Sequence, residues 1–200
     1  IEHCSWIGGD GRSTEPDETA VAWMVKNGVR VDHAIIPRPY LFPDEGSGER
    51  TAEEEWWLKM LQVRWPFLHY MRDQGVRLFL GTDAAFGPWL GTDLWPGFEE
   101  MARAVEIMVR WAEFAPLEAI GMVTGEAARA LRLEAEIGTV EAGKRADLIL
   151  VDGDPLADIR ALRRVAMVLR DGELVARQGQ IVLDSTRAGS TGPRGWELPT

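Results

Sequence analysis

The chain has 200 residues, 46% of them hydrophobic, and a formal net charge of −10. This size suits one large globular domain or two small ones. The acidic balance argues against a nucleic-acid partner, because phosphate binding needs a basic face. The single cysteine, Cys4, excludes an internal disulfide framework. No apolar run approaches the roughly 18 residues that a membrane-spanning helix needs, so we expect no membrane partner either.

The first residues, "IEHCSW", lack an initiator Met and read as a strand. We therefore expect the C-terminal part of a longer protein, in which any leader would lie upstream of Ile1. The expected location is the cytoplasm, for which the only support is that no signal peptide is visible.

The first third of the chain predicts a helix, a strand and a second helix. Residues 15–27 carry acids in the first turn and apolar residues at helical spacing, with Gly28 as a stop signal. The strand "VRVDHAII" follows and ends at a loop rich in Pro and Gly. Thr51 and Glu54 then form a capping box that starts a long helix. Pro66 predicts a break or a kink in that helix.

A short apolar strand in "GVRLFLGTDAAFGP", residues 75–88, ends close to the carboxylate of Asp83. Glycines bound the apolar run, as is typical of a strand buried on both faces of a parallel sheet. An acid at the carboxyl end of such a strand lies where α/β folds bind their ligands. A turn cap explains Thr82 and Asp83 equally well, since both residue types bond to nearby backbone groups. The spacing alone supports these two interpretations about equally.

Helices and then short strands complete the chain. Residues 98–112 place apolar side chains at i, i+3 and i+4, which predicts a helix that faces the core. Strands and helices alternate through residue 131, which indicates a parallel sheet. From Gly138 onward the pattern is β-rich, and Asp171-Gly172 between apolar runs predicts a type I′ hairpin. The polar, Gly-rich stretch from Ser185 to the end predicts a disordered tail.

Three motifs combine into a family pattern. They are "IEHCS" at one strand end, "GTDA" at a later strand end, and "GEAARALRLEAEIGTVEAGKRADLILVDGDPLADI" followed by a hairpin with "RDGELV". Together they resemble the C-terminal half of the metal-dependent amidohydrolase superfamily, most closely its imidazolonepropionase-like and prolidase-like branch. The resemblance covers nearly all of residues 1 to about 183. The long C-terminal motif is specific as an ensemble, whereas "GTD" or "IEH" alone is a weak signal.

The resemblance implies an α/β fold, namely the C-terminal part of a (β/α)8 TIM-type barrel with strands six to eight, plus part of a small β-sandwich domain. On this basis residues 1–131 are expected to belong to the barrel and residues 132–184 to the composite sandwich. Residues 185–200 form the expected disordered tail.

The resemblance also implies a metal site at the carboxyl ends of the strands. His3 corresponds to the metal-ligand histidine that ends the sixth strand, and Asp83 to the aspartate that ends the eighth. Both are expected metal ligands, and Asp83 is the expected catalytic residue that carries a proton. Imidazole and carboxylate suit Zn²⁺ and similar ions, so the expected cofactor is one or two divalent ions, zinc first, with manganese or iron as alternatives.

The other ligands of the family lie N-terminal to the sixth strand and are absent from this chain. The two remaining histidines do not replace them. His33 could face the mouth of the barrel, but a position in the core or on the surface is expected, and His69 is expected on the outer ring of helices. Substrate-binding residues are unknown. Arg38 and Tyr40 in one loop, and the tryptophans shortly after Asp83 (Trp89 and Trp95), could contact a substrate or belong to ordinary loops.

The implied function is that of a metal-dependent hydrolase with a small-molecule substrate. It would cleave the C–N bond of an amide, a cyclic amide or a dipeptide-like compound through a metal-activated water. The alternatives are a deaminase or an ester or lactone hydrolase of the same superfamily, or a non-catalytic barrel remnant that acts as an interaction protein. The chain by itself is expected to be inactive, because open strand edges and missing ligands remain. The sequence does not decide whether the protein forms a homo-oligomer.

Overall fold

A parallel pair of short strands forms the centre of the first part of the molecule. The computed structural model describes residues 1–4, 16–33, 49–83 and 100–182. Strands β1 (Arg30–Asp32) and β2 (Arg77–Phe79) pair in parallel, with Val31 opposite Leu78. Helix α1 (Glu18–Lys26) precedes β1, and Asp17 caps it by accepting a hydrogen bond from the Ala20 N–H. The parallel pairing predicted from the alternation of strand and helix is confirmed for these strands.

Helix α2 (Ala52–Asp73) connects the two strands and begins where the sequence predicts. The hydroxyl of Thr51 accepts from the Glu54 N–H, and the Glu54 carboxylate accepts from the Thr51 N–H, so the capping box is complete. Of the predicted break or kink at Pro66, the break is wrong, because α2 runs through that residue. Buried side chains lie on both sides of the proline, and their packing holds the helix against the local penalty of about 3 kcal/mol. These side chains are Leu58, Trp65, Leu68 and Met71.

Three further helices pack around the strand pair. Helix α3 (Met101–Arg110) buries Val105 and Met108, as the predicted stripe requires, and also buries Ile107 and the acid Glu106. Helices α4 (Pro116–Val123) and α5 (Gly125–Ala130) follow as the two predicted short helices. The core therefore lies between the strands and helices α1 to α4.

The last part of the described chain is an antiparallel sheet of four strands in the order β3-β4-β5-β6. The strands are β3 (Leu148–Val151), β4 (Val165–Arg170), β5 (Glu173–Arg177) and β6 (Gln180–Ile181). Asp171 and Gly172 join β4 to β5 with φ values of 50° and 81°, as a type I′ turn requires, so the predicted hairpin is confirmed.

A short 3₁₀ helix (Ile159–Arg163) ties this sheet to the α/β part. Its Ile159 belongs to the common hydrophobic core. The carboxylate of Glu106 on α3 pairs with Arg110 at 2.7 Å and with Arg163 of the 3₁₀ helix at 3.4 Å. Across the described residues, no helix combines the length and the apolar character that crossing a bilayer requires.

Candidate metal and catalytic site

Three parallel segments bring their carboxyl ends to the same edge. The Ile1 nitrogen donates to the Arg30 carbonyl, the Asp32 N–H donates to the Ile1 carbonyl, and the Cys4 N–H donates to the Asp32 carbonyl. Residues 1–4 therefore run alongside β1, and β1 in turn pairs with β2. The carboxyl ends of parallel strands are where α/β folds bind their ligands. His3 and Asp83 both lie at this edge.

His3 and Asp83 face each other across the strand ends. The Nε2 atom of His3 lies 3.6 Å from the Oδ1 atom of Asp83, and the two side chains are 55% and 36% exposed. Both residues have left-handed backbone, with φ values of 53° and 52°. Histidine and aspartate adopt this conformation more readily than most residues, although it is uncommon for either. Such conformations persist where the surrounding structure enforces them, often at functional sites.

The backbone at His3 departs from a regular parallel ladder. Ile1 and Cys4 both bond to Asp32, which leaves one residue more between them than a regular ladder contains. This is the geometry of a β-bulge, and bulges beside active sites redirect a side chain. Cys4 packs against the core, and burial raises the pKa of its thiol.

Asp32 is a buried acid in this region that the sequence analysis did not select. Its carboxylate accepts a hydrogen bond from the Gly81 N–H at 2.8 Å, although the residue is only 5% exposed. Burial raises the pKa of Asp32, and the hydrogen bond from Gly81 opposes that rise. The sequence signal was available, since an aspartate inside an otherwise apolar strand is rare without a partner.

His33 lies directly after β1 and is buried, which agrees with the expected core position. Its Nδ1 atom lies 3.4 Å from the Cys4 carbonyl oxygen, and no described residue partners its Nε2 atom. Burial, reinforced by the nearby Arg64 guanidinium, lowers the pKa of His33 to about 4. The ring is therefore neutral at physiological pH.

His69 lies away from the site, on α2. Its Nε2 atom is 2.6 Å from the Ala112 carbonyl oxygen, and its ring stacks on Phe114 with centroids 4.4 Å apart. The candidate substrate contacts Arg38, Tyr40, Trp89 and Trp95 lie outside the described residues, as do the predicted loop before Thr51 and the predicted tail.

The donor types at the site fit a divalent ion. Two ligand atoms that are each about 2.1 Å from a tetrahedral ion lie about 3.4 Å apart, which is close to the observed 3.6 Å between His3 and Asp83. The described residues contain no group of three or more His, Cys, Asp or Glu side chains that could hold an ion. His3 and Asp83 offer two donor groups, whereas a zinc ion takes roughly four ligands.

Comparison with known proteins identifies the family. The model of the amidohydrolase family matches residues 62–175. The 5-methylthioadenosine/S-adenosylhomocysteine deaminase of Symbiobacterium thermophilum is 35% identical over 136 residues, which cover 64% of this chain and 30% of that protein. The imidazolonepropionase of Alkaliphilus oremlandii is 32% identical over 99 residues, covering 46% of this chain and 24% of that protein.

A solved structure shows the same fold. The crystal structure of a Xaa-Pro dipeptidase with methionine bound in its active site is 27% identical, with a TM-score of 0.59 over 79% of this chain and 37% of that one. The chain thus spans less than half the length of each of these relatives. The chain belongs to the amidohydrolase family, and it resembles the imidazolonepropionase-like and prolidase-like branch that its motifs indicate.

Proposed function

We propose that the chain is the C-terminal portion of a metal-dependent hydrolase that cleaves a C–N bond in a small molecule of the amide, cyclic amide or dipeptide type. The observation that carries this proposal is the approach of His3 Nε2 to Asp83 Oδ1, 3.6 Å apart, at the carboxyl ends of the parallel segments on either side of β1.

In this proposal His3 and Asp83 hold a divalent ion together with ligands from elsewhere in the full-length protein. When bound, such an ion supplies Lewis acidity, which lowers the pKa of water and polarises a carbonyl group. The carboxylate of Asp83 accepts the proton of the attacking water and delivers it to the leaving nitrogen. The imidazole of His3 would present a ring nitrogen to the ion. Zinc suits this donor pair, with manganese or iron as alternatives.

The finer fold assignment belongs to the same proposal. Ile1–Cys4, β1 and β2 would be strands six, seven and eight of a (β/α)8 barrel, which leaves both outer edges of this set for strands from outside the chain. Residues 1–131 would then form barrel, and residues 132–184 would form part of a sandwich. The chain alone would be inactive. A small-molecule substrate and a cytoplasmic location remain proposals as well.

A deaminase is the second candidate. It is favoured by the relative from Symbiobacterium thermophilum, a deaminase by name, which is 35% identical over 64% of this chain. Deamination uses the same parts, because a water attacks a carbon atom and a proton reaches the departing amine. Residues that contact the substrate decide between these two reactions. Because those residues are not identified, an activity assay is needed to distinguish the reactions.

The test is to express the full-length protein and to assay it with three substrate sets: Xaa-Pro dipeptides, cyclic amides, and adenosine-type compounds. We expect turnover of at least one dipeptide or cyclic amide, loss of that turnover on chelation, and recovery with zinc. Turnover of adenosine-type compounds alone would establish the deaminase instead. A stable, metal-loaded protein that converts none of these compounds would contradict both.

A further inference from the structure

A buried carboxylate lies between the two halves of the candidate site. Asp32 ends β1, the strand that lies between the His3 segment and β2. An apolar residue would be the ordinary occupant of such a position, because an ionised carboxylate is expensive to remove from water without partners. Val31, directly before it, is fully buried and follows that ordinary pattern. The presence of an acid at position 32 therefore needs a specific explanation.

On one side, the Asp32 side chain holds the backbone that leads to Asp83. The Gly81 N–H donates to Asp32 Oδ1 at 2.8 Å. A Cβ atom at Gly81 would lie 3.2 Å from Asp32 Oδ2, so the carboxylate and this backbone are in close contact. Thr82, the only residue between Gly81 and Asp83, is buried. The position of Gly81 thus determines where the Asp83 side chain begins.

On the other side, the Asp32 backbone holds the segment that carries His3. Its N–H donates to the Ile1 carbonyl at 2.8 Å, and its carbonyl accepts from the Cys4 N–H at 3.1 Å. These two bonds enclose the extra residue of the bulge and the left-handed backbone of His3. Asp32 is therefore hydrogen-bonded both to the segment that carries His3 and to the segment that carries Asp83.

We propose that Asp32 is a positioning residue, which sets the separation of His3 and Asp83 by bonding to the backbone beside each of them. This inference rests on the proposed function, in which those two side chains act together. Asp32 is not assigned as a further metal ligand, because the described residues include no set of three such groups that could share an ion. It acts through Gly81 and through the bulge at His3.

The test compares Asp32→Ala and Asp32→Asn in the full-length protein. The alanine variant lacks the acceptor for the Gly81 N–H, whereas the asparagine variant keeps an oxygen at nearly the same place. Glu106→Gln is the matched control, because Glu106 is an equally buried acid whose partners, Arg110 and Arg163, lie outside the site. The three readouts are the separate values of kcat and KM at saturating metal, the zinc affinity in competition with a chelator, and hydrogen exchange of a peptide that contains Gly81.

We expect Asp32→Ala to lower kcat by about 100-fold, the effect of a misplacement of about 1 Å. KM should change little, zinc affinity should fall, and exchange at Gly81 should rise. Asp32→Asn should recover most of kcat, and Glu106→Gln should reduce thermal stability without moving kcat. If Asp32 were merely structural, Asp32→Ala would reduce thermal stability as the control does, while kcat per folded enzyme would stay at the parental value. That result would overturn the inference.

The failure of the proposed function is a separate outcome. If the parent protein converts no substrate, the two readouts that need no turnover still decide the role of Asp32. Faster exchange at Gly81 and weaker zinc binding in Asp32→Ala, both recovered in Asp32→Asn, would support positioning. Unchanged exchange and unchanged zinc affinity would overturn it.

Discussion

The α/β part buries the apolar residues of its strands, whereas the antiparallel sheet leaves its apolar residues exposed. In the α/β part, Val31, Val76, Leu78 and Leu80 are all buried, and polar groups are concentrated at the carboxyl ends. In the sheet from Leu148 to Ile181, no strand residue is buried. Large apolar side chains remain exposed there, including Ile149 at 54%.

This difference shows which part of the molecule covers its own apolar strand residues. The α/β part covers its strands with its own helices and presents a defined polar edge. Among the described residues the sheet has no such cover, and contiguous exposed apolar patches mark surfaces that contact other structure. Under the proposed fold, strands from outside this chain would complete the sandwich. The predictions below test the polar edge first and the sheet second.

The largest expected effect is at the polar edge. We expect Asp83→Asn in the full-length protein to lower kcat by about 100-fold to 10,000-fold, because an amide cannot accept the proton that a general base carries. Substrate binding should persist. Asp73→Asn is the control, since that acid is 61% exposed and pairs with the adjacent Arg72. Turnover of Asp83→Asn equal to that of the parent at several pH values would remove Asp83 from the mechanism.

Substitutions in the sheet should change the stability of the full-length protein and not its turnover. We expect Ile149→Ser to lower the free energy of unfolding of the full-length protein by about 2 kcal/mol, because a covered isoleucine contributes about that much. The matched control is Glu173→Ser on β5, which is exposed and charged. Thermal unfolding measures both variants. If Ile149→Ser stays within about 0.5 kcal/mol of the parent, the face is open to solvent and the composite sandwich is wrong.

A pH-dependent effect of similar size is expected at His33, in the buried region. Its pKa is about 4 in the folded state and 6.5 in the reference state, so the unfolded chain binds the extra proton between these values. Stability is then fully present above pH 6.5 and is lost as the pH falls toward 4, by about 2 kcal/mol at pH 5.

The variant His33→Asn keeps a donor near Cys4 but does not titrate in this range. Its unfolding temperature should therefore fall less than that of the parent between pH 7.5 and pH 5. Asp32, whose pKa is raised, is present in both proteins and does not affect the comparison. Parallel curves for the two proteins would mean that His33 is not buried in its neutral form.

Local chemistry predicted the ends of elements better than their interiors. Thr51 with Glu54, and Asp171 with Gly172, specify a cap and a turn through bonds and φ values that involve only nearby residues. Pro66 does not end α2, because packing along the helix, which depends on residues distant in sequence, outweighs the local penalty of the proline. For the same reason Glu106 was missed: its partner Arg163 lies 57 residues further along the chain.

The site was predicted in part. The motifs around His3 and Asp83 indicated the pair through a family resemblance, and the structure places the two side chains together. Asp32 was not selected, because its role depends on a hydrogen bond to Gly81, 49 residues away. The bulge at His3 was likewise invisible, since it follows from pairing with β1.

The most direct test of the account is the zinc affinity of the full-length protein with and without its His3 ligand. In competition with a chelator, His3→Ala should bind zinc at least about tenfold more weakly than the parent, because one of roughly four donors is lost. His69→Gln is the control, since that ring bonds to Ala112 and stacks on Phe114 away from the site. Equal zinc affinity for the parent, His3→Ala and His69→Gln would contradict the assignment of His3 and Asp83 as a metal site.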